Sequence, residues 1–173
     1  MGEITQTERA EERRRERTIL LVEDEPLVAL VESRVLKKNG YRVTTTSEAE
    51  DAITKTVAEM PDLVLMDIDL GCDEMDGTDA AERILDRCNL PVVFLTSHTE
   101  KEYVDRARQV TRYGYVVKDS GEFVLIQSIE TALELFQAHK DPSENYAELS
   151  AVSECNEEGK VVRTHAVVRP LSG

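Results

Sequence analysis

The sequence predicts an α/β fold in which a five-stranded parallel sheet is doubly wound, with helices on both faces. Three observations predict it. Short unbroken apolar runs recur at residues 19–22, 63–66 and 92–95, and each gives way to a polar or acidic residue. Stretches with apolar residues at helical spacing lie between them. Helix-opening signals stand at the joins. Runs of four apolar residues are too short for helices and fit strands buried on both faces, as a parallel sheet requires.

The elements follow in order. Ile19, Leu20, Leu21 and Val22 form the first strand, and Pro26 then suits the first turn of a helix, where its missing N–H costs nothing. Leu27, Leu30, Val31 and Val35 share one face of that helix, and Gly40 can end it. Residues 41–46 are rich in β-formers and make the second strand. Ser47 and Glu50 fit a capping box that opens a helix through Met60. Residues 63–66 are the third strand, ending at Asp67; Ala80, Ala81, Ile84 and Leu85 mark the third helix, which Pro91 bounds. Residues 92–95 are the fourth strand. Thr99 and Glu102 repeat the capping pattern ahead of Val104, Ala107 and Val110, residues 113–117 form the fifth strand, and a long last helix carries Leu125, Ile129, Ala132, Leu133 and Phe136. Right-handed crossovers leave few topologies for such a chain, and the flavodoxin-like strand order 2-1-3-4-5 is expected.

This core occupies residues 18–140. Residues 1–17 read as a charged helical arm with no apolar stripe. Residues 141–173 form an acidic tail in which 149–155 and 161–168 either pair as a hairpin or stay disordered. The net charge of −14 is uneven: zero over 1–17, −11 over 18–140 and −3 over 141–173. A surface so acidic repels nucleic acid, whose binding rests on phosphate neutralisation by Lys and Arg. No apolar run approaches the ~20 residues that cross a bilayer, and the charged N-terminus does not resemble a signal peptide. A cytoplasmic protein without membrane or nucleic-acid partners is expected. Cys72, Cys88 and Cys155 show no metal-binding spacing and read as reduced thiols. Cys72 and His98 lie near the strand ends but read as incidental loop residues.

Ligands of open α/β sheets bind beyond the carboxyl ends of the strands, near the switch in strand order. There the first strand is followed by Glu23 and Asp24, the third ends in Asp67, the fourth in Thr96 and the fifth in Lys118. Two unit charges ~4 Å apart interact by roughly 4 kcal/mol at an effective dielectric of about 20, so three carboxylates at one edge call for a cation. Hard oxygen ligands with room for water suit Mg²⁺.

Glu23, Asp24, Asp67, Thr96 and Lys118, each at a strand end and in this order, resemble the receiver domains of two-component response regulators. The resemblance covers roughly residues 18–140. It implies that Asp67 accepts a phosphoryl group from a histidine kinase or a histidine phosphotransfer protein. It further implies that Asp24 ligates Mg²⁺ directly, Glu23 acts mostly through water, and the backbone carbonyl of Asp69 supplies another oxygen. Thr96 would bond a phosphoryl oxygen, Lys118 would pair with the phosphoryl group, and Tyr115 stands where the family has its switch aromatic. Output would pass to a downstream protein through the surface of the fourth helix, fifth strand and fifth helix. Such a protein is a phosphorylated signalling switch and not a turnover enzyme. Two departures bear on local geometry. The loop from Asp67 to Asp76-Gly77 is two residues longer than the common pattern and lacks its proline. Asp119, not proline, follows Lys118, so a trans peptide bond is expected there, with Ser120 capping the last helix.

Two rivals were weighed. Asp67-Ile68-Asp69 mimics the nucleophile motif of haloacid-dehalogenase-type phosphatases, but that family takes its final acidic pair from a strand after the lysine, and here the acidic pair precedes the nucleophile. A pseudo-receiver scaffold would bind partners without phosphorylation, yet no member of the chemical set is missing.

Overall fold

Burial of apolar runs on both sides shapes the central sheet. The computed structural model describes residues 17–71, 75–97, 109–111 and 113–140, together with strands 148–155 and 161–169. Five parallel strands, β1 (Thr18–Val22), β2 (Arg42–Thr46), β3 (Leu63–Asp67), β4 (Val92–Thr96) and β5 (Tyr115–Val117), lie in the order β2-β1-β3-β4-β5. Every residue of β3 and β4 is buried, so both of their faces are covered, whereas β2 is an edge strand of half-buried and exposed residues. The doubly wound order expected from the sequence is the one found.

The chain divides into two compact units, Met1–Leu90 and Pro91–Gly173. In the first, helix α1 (Pro26–Lys38) starts on its proline, and Gly40 follows its end at φ 92°, a conformation glycine adopts freely. Its buried face differs from the expected one. Leu36 is fully buried with Glu32 and Ser33 beside it, while Leu27, Leu30 and Val31 are 77%, 47% and 59% exposed. Two polar residues occupy the inward stripe, so apolar periodicity alone sets the helix about half a turn out of phase.

Helix α2 (Ala49–Glu59) also begins one residue later than its capping pattern suggests. Glu48 is its N-cap and makes no side-chain capping bond, so Ser47 is not the cap. The start is held instead by Asp51, whose carboxylate accepts from the Thr46 hydroxyl at 2.5 Å and pairs with Lys55 at 2.8 Å. Those two partners hold the Asp51 carboxyl below its ordinary range. Helix α3 (Gly77–Leu85) has a complete capping box: Asp76 accepts from the N–H groups of Thr78 and Asp79, and the Asp79 side chain accepts from Asp76 N–H. Its Ala80, Ala81 and Ile84 are buried, and Arg83 reaches Glu50 of α2 at 3.2 Å.

In the second unit, β5 runs into a 3-10 turn (Lys118–Ser120), and Gly121 at φ 93° precedes α4 (Glu122–Lys140). The Ser120 hydroxyl is buried without a hydrogen-bond partner among the described residues, so it does not cap that helix. The turn takes up the residues that a cap would need. No described peptide bond is cis, and Lys118–Asp119 is trans as expected. Ile129 and Ala132 of α4 are fully buried, and Tyr113 meets Phe136 edge to face at 5.8 Å. Strands β6 (Glu148–Cys155) and β7 (Val161–Arg169) pair antiparallel, with Leu149 opposite Val168. The predicted helix on Thr99, Glu102, Val104 and Ala107 lies outside the described residues, as do residues 1–16, Cys72 and His98. No described helix is long and apolar enough to cross a membrane.

The corrected face of α1 has a measurable consequence. Leu36→Ala is expected to cost about 2–5 kcal/mol through the cavity it leaves. Leu27→Ala should stay within about 0.5 kcal/mol of the parent. Urea denaturation of both variants checks this, and a larger loss for Leu27→Ala than for Leu36→Ala would mean that the helix is phased the other way.

Candidate functional site

The acidic pair and Asp67 are brought together by strand pairing. β1 and β3 are parallel neighbours with Val22 opposite Met66, so the residues that follow, Glu23 and Asp67, leave the sheet at the same level. Order changes direction between these two strands, the position where open α/β sheets bind ligands. One carboxylate oxygen from each of Glu23, Asp24 and Asp67 lies within 4.8 Å of the others. Glu23 and Asp67 are buried and Asp24 is half-buried.

Local backbone fixes the two buried members. Glu23 Oε1 accepts from Glu25 N–H at 3.1 Å, and Asp67 Oδ1 accepts from Asp69 N–H at 3.2 Å. Gly77 N–H donates to the Ile68 carbonyl at 2.9 Å, pulling the start of α3 against the end of β3. A Cβ at Gly77 would overlap the Asp67 carbonyl, so only glycine permits that approach. Gly71, at φ 57°, stands against Asp24: a Cβ there would lie 2.7 Å from Asp24 Oδ2. Neither glycine contact was visible in the sequence, where Gly77 read only as a turn residue; Gly71 carried no signal beyond lying in an acidic loop.

The donor set fits a hard cation. All three groups are carboxylates, the hard oxygen donors that Mg²⁺ favours. The half-buried Asp24 side leaves room for water ligands. Asp69 is exposed and its carboxylate is not among the three.

Thr96, Tyr115 and Lys118 belong to the second unit. Thr96 is buried at the last position of β4 and pairs with Val117, so Lys118 comes directly after its partner at the carboxyl end of this ribbon. Lys118 is half-buried and opens the 3-10 turn. Tyr115 pairs with Phe94 and is also half-buried. Ser97, beside Thr96, is exposed.

The chain is similar to known proteins. The family model for the response regulator receiver domain matches residues 19–130. The transcriptional regulatory protein PdtaR of Mycobacterium tuberculosis is 32% identical over 122 residues, covering 70% of this chain and 58% of that protein. This chain therefore spans less than two thirds of that relative's length. The crystal structure of the N-terminal domain of a response regulator/sensory box/GGDEF three-domain protein from Carboxydothermus hydrogenoformans matches with a TM-score of 0.65 at 43% identity, covering 72% of this chain and 100% of that one. A CheY-like receiver domain protein from Methanospirillum hungatei shares the fold, with a TM-score of 0.64 at 22% identity over 71% of this chain and 98% of that one.

Crowding of the three carboxylates predicts that Asp67→Asn stabilises the protein in a chelator, by roughly 1–3 kcal/mol at an effective dielectric near 20. Excess Mg²⁺ should narrow or reverse the difference, since an ion at a hundredfold over its Kd stabilises by about 2.7 kcal/mol. Urea midpoints in EDTA and in Mg²⁺ test this. A variant less stable than the parent in EDTA would show that the repulsion is already compensated.

Proposed function

This chain belongs to the response regulator receiver family, and on that premise we propose that it is a phosphorylation switch that takes a phosphoryl group onto Asp67 from the phosphohistidine of a histidine kinase or histidine phosphotransfer protein. The observation that carries the proposal is the convergence of Glu23, Asp24 and Asp67 within 4.8 Å. Mg²⁺ is the proposed cofactor, held by Asp24, Asp67 and the Asp69 carbonyl, with Glu23 acting mostly through water. When bound it neutralises charge on the transferring group.

The chain's own residues do the rest. A carboxylate oxygen of Asp67 is the nucleophile: its bond to phosphorus forms as the phosphorus–nitrogen bond of the donor breaks, and the imidazole leaves. Phosphoryl transfer asks little more of a protein than positioning and charge stabilisation. The fixed carbonyl and carboxylate of Asp67 meet the first need. Lys118 supplies a cation for the phosphoryl oxygens, and the Thr96 hydroxyl donates to one of them. That bond exists only in the phosphorylated state, so it can shift the position of Thr96 and Tyr115 between two conformations. Output then reaches a downstream protein through the surface of the fourth predicted helix, β5 and the last helix. Exposed Leu27, Leu30 and Val31, on the helix that starts two residues after Asp24, offer the phosphodonor an apolar surface. The protein works as a cytoplasmic signalling component, without turnover of a substrate.

Intact-protein mass spectrometry after incubation with a small acyl phosphate tests this reading. One added phosphoryl group per chain is expected with Mg²⁺, none with EDTA, and none on Asp67→Asn. Undiminished labelling of the variant would sink the assignment of Asp67, and continuous release of phosphate at many turnovers would favour a phosphatase.

Charge generates a second expectation. With a net charge of −11 over residues 18–140, the protein should leave duplex DNA unshifted in gels at physiological salt. A salt-sensitive shift at low micromolar protein would overturn it.

A further inference from the structure

Gly71 stands in the left-handed region at φ 57°, and a Cβ built on it would lie 2.7 Å from Asp24 Oδ2 and 3.8 Å from Asp24 Cγ. Real Cβ atoms do not approach an oxygen that closely, so any other residue at this position forces Asp24 to move. Asp24 is the member of the acidic trio with most freedom to do so. It is half-buried, whereas Glu23 and Asp67 are buried and each accepts a backbone hydrogen bond. Among the described residues, no hydrogen bond or ion pair holds its carboxylate.

We propose that Gly71 is a positioning residue for the cation site: its bare backbone forms the wall that keeps the Asp24 carboxylate turned toward Glu23 and Asp67. The inference rests on the reading of that trio as a Mg²⁺ site. Two physical effects are joined at this one residue. Its positive φ excludes proline, which is fixed near −65°, and strains most L-residues. Its missing side chain leaves the space that the Asp24 carboxylate fills. Groups that orient metal ligands typically change metal affinity by about 10–100-fold when altered, and the wall at Gly71 acts in that way on Asp24.

Calorimetric titration of the full chain with Mg²⁺ tests the proposal. Gly71→Ala combines backbone strain with the clash. Gly71→Asn keeps the clash but tolerates the left-handed backbone. Both variants should weaken Mg²⁺ binding by about tenfold or more. Gly40→Ala, strained at φ 92° at the far end of α1, controls for strain alone: it should lower the urea midpoint and leave Mg²⁺ affinity as in the parent. In an Asp24→Ala background, Gly71→Asn should cause no additional loss of affinity, because the carboxylate it displaces is gone. Parental affinity in both Gly71 variants overturns the proposal while leaving the cation site standing. A parent chain that binds no Mg²⁺ overturns the cation site and this inference together. Equal loss of affinity in Gly40→Ala would show that general strain, and not contact with Asp24, is responsible.

Discussion

Three carboxylates held within 4.8 Å of one another repel wherever they are ionised, and the first unit of the chain is arranged to hold them there. Two of the three sit directly at the ends of strands that are buried throughout or nearly so, where a shift of one residue would need every neighbour to shift. Parallel pairing of β1 with β3 sets their level. Backbone N–H groups of Glu25 and Asp69 orient them, and the glycine at the start of α3 lets that helix close on the strand end. The repulsion is thus stored by the packing, and a cation bound there would relieve it. Coupling of ion binding to stability follows from the same geometry.

Much of the fold was legible because it rests on burial. Residues 19–22, 63–66 and 92–95 read as buried strands in the sequence and are the most buried strands in the structure. The acidic trio was legible for a related reason, since a strand end is where an apolar run stops, and what stops it is written next in the chain. Helix α1 was misread because Glu32 and Ser33 point inward while Leu27, Leu30 and Val31 face out. A hydropathy pattern carries no information about which polar groups the interior can satisfy or which apolar groups a surface keeps. Capping patterns were legible only where geometry was local and complete. Asp76 and Asp79 close a box on α3, whereas Ser47 yields to Glu48 and Ser120 to a 3-10 turn. Gly71 was illegible because its importance lies in a side chain 47 positions earlier, Asp24.

Where the chain departs from the common pattern of its family, backbone accommodates the change. With Asp119 after Lys118 the peptide bond is trans, and a short 3-10 turn carries the chain from β5 to Gly121. A cis bond before a residue other than proline costs about 2.5–4 kcal/mol, more than an exposed ion pair returns, so the turn is the lower-energy route.

The uneven burial of the acidic trio also has a bearing on time. Glu23 and Asp67 are closed off from solvent on the protein side, and Asp24 alone is half open. A hydrated ion reaching the trio would therefore meet Asp24 first and the buried pair after it. On the proposed reading, the residue at the mouth would act on how fast the ion exchanges as well as on how firmly it is held. Changes around Asp24 would then move the rate of recharging and the affinity together, whereas the buried pair is fixed by the strands that carry it.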